Sequence, residues 1–483
     1  MNRQNFLGHL TLALSVIIVA AFIGQVRRWE GERARQLKAD GGTVVSIGND
    51  APPEISEPTA NREAMVRFAP GTDANEIERI AARFDDEVED RIESVAGLAV
   101  VTDADGIDAE ELAAYRALPQ VAYIEPNYEI NLPEPEDEAS DMDIPLAEGL
   151  GVSPRDEGLT PNDPQFGEQW ALNNTGQRNG KFKADISAIN AWRETQGSDK
   201  VVVAVLDSGV NYLHPDLMNN MWMRPDNVAP YEDAQLGEID DERGYNAVEN
   251  SGDPMDDNGH GTHCSGIIGA EGDNDEGIAG VNWKIEIMPL KFMSAGGFGT
   301  TKDAIEAINY TIARKKAGVN VRVISASWGS TMRSRALEDV IRKAGEEGIL
   351  FVAASGNSNA NTDRVPHYPS SYNLPNVISV AALNRNDELA SFSNYGAKSV
   401  HVAAPGVEIL STWLNDEYRE ASGTSMATPV VSGVAALALA VDNDLSVKEL
   451  RERLLASVDK LPGLDAKTVS GGRINAALAI ETK

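Results

Sequence analysis

One cysteine, Cys264, stands in 483 residues, so no disulfide within the chain can brace it, and stability must come from packing or from non-covalent ties such as a bound metal. Basic residues are also scarce. Against 75 Asp and Glu there are 42 Lys and Arg, a net charge of −33, which argues against electrostatic capture of nucleic acid and suits an acidic, well-solvated surface. Only six histidines occur, and of these His260 alone has glycine on both sides. Three patterns are missing as well. No second Asp-Ser/Thr-Gly accompanies the one at Asp207, so two carboxylates sharing one proton would require a homodimer. Ala427 stands where Gly-x-Ser-x-Gly would need its second glycine after Ser425, and no His-Glu-x-x-His zinc pattern occurs.

What is present is enough apolar residue, 42%, for a large core in two or three domains. Residues 10–24 form an apolar run behind Arg3, which reads as a secretory signal or, uncleaved, as a short membrane anchor within 1–26; Arg27, Arg28, Arg33 and Arg35 follow it. Residues 27–60 read as linker. Residues 61–131 read as a small α+β domain, with strands at 64–68, 97–101 and 121–124. Its helices are one with Ile77, Ile80, Ala81 and Phe84 on one face and a second at 109–118. Such a size is marginally stable alone. The stretch 132–159 is acidic and proline-containing, unable to form a core and open to proteolysis. From 160 to 483 the register changes. Unbroken β-branched runs at 201–206, 321–326, 349–354 and 377–382 alternate with helical patterns at 302–316 and 335–346. Strands without polar alternation are buried on both faces, and their alternation with helices predicts a doubly wound, mostly parallel α/β sheet with chemistry beyond the strands' carboxyl ends.

Several residues at such ends carry chemistry. Asp207 closes the first run and is a turn aspartate or the partner of a base. His260, in Gly-His-Gly-Thr-His, has an imidazole free to serve as general base near neutrality. Asn357, after Ala354-Ser355-Gly356, is a turn asparagine or an amide donor to a developing oxyanion. Ser425, in Gly-Thr-Ser-Met-Ala-Thr-Pro ahead of the apolar run 430–441, is an N-cap or a nucleophile at the positive end of a buried helix. Proline fits a helix's first turn, so Pro429 predicts a helix that starts near Ser425.

These four blocks, in the order Asp, His, Asn, Ser, resemble the signature blocks of the subtilisin-like serine peptidases over about 161–479. The small domain, ending in Ile124-Glu125-Pro126-Asn127, resembles that family's inhibitory propeptide. The resemblance implies that Ser425 attacks the scissile carbonyl, that His260 moves the proton and that Asp207 orients the imidazole. Asn357 and the Ser425 N–H would hold the oxyanion. It implies polypeptide substrates bound as an added strand between Ser327-Trp328-Gly329 and Ala354-Ser355-Gly356, with 296–298 as a further edge and His367 near the floor of the main side-chain pocket. It also implies a secreted or cell-envelope zymogen, possible membrane attachment through 10–24, and calcium at Asp163, Asp216 and Asn274. A second calcium site would draw on Asp253, Asp256 and Asp257. The rival readings are an aspartic peptidase, a catalytically inactive binding module of the same fold, and a calcium-loaded envelope structural protein.

Overall fold

The computed structural model describes residues 61–132 and 160–481; the expected signal or anchor, the first linker and nearly all of the acidic linker lie outside them. In the N-terminal part the elements are β1 (Asn61–Phe68), α1 (Ala74–Ala81), β2 (Glu87–Arg91), β3 (Leu98–Ile107), α2 (Ala109–Arg116), β4 (Val121–Pro126) and β5 (Glu129–Asn131). Four of the strands make an antiparallel sheet in the order β2-β3-β1-β4. Strand residues alternate between its faces. Ala64, Val66 and Phe68 pack with Ile77, Ile80 and Tyr115 under the two helices, while Met65, Val100 and Tyr123 point the other way. That second face has no cover within the small domain and packs on the large one, in a single core with Ile305, Ile308 and Leu337. β5 leaves its own sheet altogether.

In the large part the elements that build the site are β6 (Gly197–Asp207), β7 (Tyr245–Asn246), α3 (His260–Gly269), β8 (Lys284–Lys291), β9 (Phe298–Thr300), α4 (Thr301–Lys316), β10 (Val321–Ala326), α5 (Arg335–Glu346), β11 (Leu350–Ala354), β12 (Val377–Leu383), β13 (Val402–Pro405), α6 (Thr424–Val441), β14 (Val458–Lys460) and β15 (Gly472–Ile474). Nine strands form one sheet in the order β14-β15-β13-β12-β11-β10-β6-β8-β7. All neighbours run parallel except β14 and β15. On β6, Val201, Val203 and Val205 face the core around α3 and α6, and Val202, Ala204 and Leu206 face the core around α4 and α5. A strand covered on both sides has no polar position to spare, which is why its sequence shows no alternation. β8 is a central strand that hydrophobic pattern does not reveal. Lys284, Glu286 and Lys291 interrupt it and Pro289 lies inside it, yet it pairs with β6 over most of its length.

Candidate active site

Asp207 ends β6 and is fully buried. Its Oδ1 accepts from the Ser208 N–H at 2.8 Å and lies 2.7 Å from His260 Nδ1. His260 opens α3. The glycine after it is what lets the two elements close: a Cβ on residue 261 would stand 2.1 Å from the Gly209 carbonyl oxygen and 3.1 Å from the Asp207 Cβ. The start of α3 is pinned by Asp256, whose buried carboxylate accepts from the N–H groups of Asn258, Gly259 and Thr262 and from the Ser208 and Thr262 hydroxyls. Burial opposes charging of His260, but the Asp207 carboxylate outweighs it and raises the imidazole above its ordinary 6.5.

Ser425 lies in the first turn of α6 with Gly423 as N-cap, and only 6% of it is exposed. Pro429 falls beyond the first turn, later than its preference predicts. Having no N–H, it leaves the Ser425 carbonyl without a helical donor. The Ser327 hydroxyl takes that place at 2.8 Å and the Cys264 thiol approaches at 3.6 Å, so the irregularity ties α6 to β10 and α3 where they meet. Cys264, buried one turn after His260, has its sulfur within 4.8 Å of a ring nitrogen of His260 and a carboxylate oxygen of Asp207. The Ser425 hydroxyl donates to the Ser327 carbonyl oxygen at 2.9 Å; among the described residues that is its one hydrogen bond, and none joins it to His260.

Asn357 is oriented by its carbonyl oxygen, which accepts from the Thr424 N–H at 2.9 Å and the Thr424 hydroxyl at 2.8 Å. Its NH₂ is left to face Gly423. A Cβ on residue 423 would lie 3.4 Å from Asn357 Nδ2 and 3.5 Å from the Ser425 N, so the space that this glycine keeps clear is flanked by two N–H donors. Two donors so placed are chemically suited to a negatively charged oxygen.

The two expected substrate edges differ. The Trp328 side chain is buried and donates to the Leu206 carbonyl, while the backbones of Trp328 and Gly329 make no hydrogen bond to another described residue. On the other side Ser355 and Gly356 are already engaged: the Ser355 N–H with Val380, its carbonyl with the Asn394 amide, the Gly356 N–H with the Thr424 hydroxyl and its carbonyl with the Asn394 N–H. The His367 ring is wedged between them; a Cβ on residue 329 would stand 2.1 Å from its Cε1 and one on residue 356 would stand 2.9 Å from its Cδ2. Burial lowers His367 to about 4, so this ring is neutral. At 296–298 an edge is occupied. β5 pairs antiparallel with β9, Asn131 opposite Phe298, and the Leu132 N–H donates to the Gly297 carbonyl at 2.9 Å. The sequence does not announce β5, because three residues with a single apolar position, Ile130, carry no periodic signal.

Asp163 and Asp216 are both buried. Asp163 Oδ2 accepts from the Asp273 N–H, Asp216 accepts from the Asn274 amide and the Ile278 N–H, and Asp163 Oδ1 is buried without a partner. An orphaned carboxylate oxygen beside a second buried carboxylate fits a hard cation such as calcium. The second calcium set fails that test: Asp256 is filled by five donors, Asp257 pairs with Lys291 at 2.6 Å and Asp253 accepts from the Tyr212 hydroxyl.

Residues 198–471 match the model of the subtilase family. Over 328 residues, 67% of its length, the chain is 37% identical to halolysin of Haloferax mediterranei, of which it spans 55%. Over 322 residues, again 67% of the chain, it is 35% identical to thermitase of Thermoactinomyces vulgaris, of which it spans 99%. A crystal structure of a cold-adapted subtilisin-like serine proteinase superposes with a TM-score of 0.50 at 29% identity, over 64% of this chain and 97% of that one.

Proposed function

The chain belongs to the subtilase family of serine peptidases, and on that premise we propose that it is a secreted endopeptidase, made as a zymogen, which cleaves polypeptides through an acyl-enzyme formed on Ser425. The observation that carries this reading is the buried Asp207–His260 pair at 2.7 Å, set beside a helix whose first turn presents Ser425 and whose N-cap glycine leaves a two-donor pocket. A polypeptide laid along Trp328–Gly329 offers an N–H to the Ser327 carbonyl, the acceptor that the Ser425 hydroxyl now uses. Displaced from it, the hydroxyl turns toward His260. Its oxygen bonds to the scissile carbon while His260 takes the proton, and the carbonyl oxygen, now negative, moves between Asn357 Nδ2 and the Ser425 N–H. Asp207 stabilises the imidazolium. His260 then gives the proton to the leaving amine as the C–N bond breaks, and water, deprotonated by the same ring, releases the acyl group.

The small domain is read as the intramolecular inhibitor, since its tail, through Leu132, lies on the 296–298 edge that a substrate would extend along. Calcium is read as a structural ligand at Asp163, Asp216 and Asn274, supported by the orphaned Asp163 oxygen. Export is supported by the apolar run at 10–24. A serine-directed organophosphorus reagent tests the central claim. Labelling at Ser425, with loss of both labelling and cleavage within 133–159 in Ser425→Ala, is the expected result; a Ser425→Ala protein that still cuts itself would refute it.

A further inference from the structure

Where the small domain meets the large one, three carboxylates are shut away together. Asp90 is on β2, Glu306 is on α4 and Asp233 is in the short ribbon Tyr231–Asp233; their exposures are 8%, 4% and 2%. One carboxylate oxygen from each lies within 4.8 Å of the other two. Some of their acceptor capacity is used: Asp233 Oδ1 accepts from the Gln235 and Leu236 N–H groups and Asp90 Oδ1 from the Arg91 N–H. Among the described residues, Glu306 Oε1 is buried without a hydrogen-bond donor. Positive charge is nearby but committed elsewhere: Lys302 pairs with Glu63 and Glu89, Arg314 with Asp241, and Arg91 with Glu78. Among the described residues the remaining facing groups supply no cation. Glu93 accepts from the Ala234 N–H and the Asn309 amide, and the Tyr231 hydroxyl lies 3.5 Å from Asp233 Oδ2.

Three ionised carboxylates this close, out of water and without a counter-ion, cannot all persist. We propose that Asp90, Asp233 and Glu306 form a proton-held clasp, which fastens the small domain to the catalytic body while Glu306 holds a proton between the other two carboxylates and which loosens as the pH rises. The inference rests on reading the small domain as an inhibitor that must leave. Burial, then the Asp90 neighbour, holds the Glu306 carboxyl well above its ordinary range while docked. Once the domains part, Asp90 is gone and the remaining carboxyls meet water. The docked state therefore takes up a proton that the separated state releases. Docking is strongest below the free carboxyl's ordinary range and weakens as the pH climbs toward the raised docked value, by up to about tenfold per pH unit for one linked proton.

The test uses the full-length protein after it has cut itself, following small-domain release by size exclusion and peptide hydrolysis in parallel from pH 5.5 to 8.5. The expected result is release that accelerates steeply with pH in the wild type and is slow and nearly pH-independent in Glu306→Gln, whose amide stands in for the protonated acid. Asp90→Asn should flatten the slope in the same way and serves if Glu306→Gln does not fold. An unchanged slope in a folded variant overturns the proposal, as would tight docking at high pH restored by added calcium in the wild type alone, which would make the cluster a cation site. If hydrolysis is full before release begins, the inhibitor reading fails, while the release profile still decides the proton linkage.

Discussion

At the scale of single residues the site is held by what its atoms are denied. Thr424 occupies the oxygen of the Asn357 amide, which forces the nitrogen toward the space beside Gly423. Asn357→Ala should therefore lower kcat about 10²- to 10³-fold with little change in KM, a magnitude taken from another subtilisin-like enzyme rather than from this geometry. Steady-state kinetics on a peptide substrate would show it, and a change confined to KM would contradict it. For His260 the sign follows from the Asp207 carboxylate. Since the imidazole must be neutral to accept the serine proton and its pKa is raised, kcat/KM should climb with pH through an inflection above the ordinary 6.5, higher than an unperturbed histidine predicts. An inflection at or below that value on an uncharged substrate would show that the carboxylate does not govern the ring.

At the scale of elements, two helix N-termini do much of the docking. Glu125 at the end of β4 accepts from the Ser334 hydroxyl and the Arg335 and Ala336 N–H groups at the start of α5, and Asn127 accepts from the Lys302 N–H at the start of α4. A carboxylate there meets both free donors and the positive end of the helix dipole. Replacing Glu125 by Ala should weaken small-domain binding by about 1–3 kcal/mol, read as a lower melting temperature of the Ser425→Ala precursor or as earlier release in the active protein; unaltered release would mean that the cap contributes nothing. The same comparison shows what sequence could reveal. β6, β10, β11 and β12 announce themselves as unbroken apolar runs because both faces are covered. β8 does not, since it ends in lysines and contains Pro289, and β5 is too short to have a period. The blocks around Asp207, His260, Asn357 and Ser425 were legible because each is a short contiguous run of residues at or just past the end of a strand or at the start of a helix. The Asp90–Asp233–Glu306 cluster was not, because its members lie far apart along the chain, on a strand, a ribbon and a helix, and Asp90 joins the other two only where the small domain docks.

At the scale of the whole molecule, with no disulfide available, loop closure falls to packing and to hydrogen bonds among buried groups. Asp163, in the segment that enters the large domain, and Asp216, after β6, both tie to the loop after α3, the first through Asp273 and the second through Asn274 and Ile278. A chelator should therefore lower the melting temperature reversibly, and Asp163→Ala should remove that sensitivity; a chelator-insensitive wild type would contradict the calcium reading. A last consequence comes from the composition of the docked pair. The small domain, with 17 Asp and Glu against six Arg and no lysine in 61–132, rests on a chain that is itself strongly acidic, so apart from a few short-range contacts the two bodies repel. Dissolved salt shortens the reach of that repulsion to about 10 Å at 0.1 M and less in brine, while leaving the buried caps and apolar contacts in force. Fresh water, not brine, should be the solvent that pries the pair apart, and off-rates measured across a sodium chloride series should fall as the salt increases.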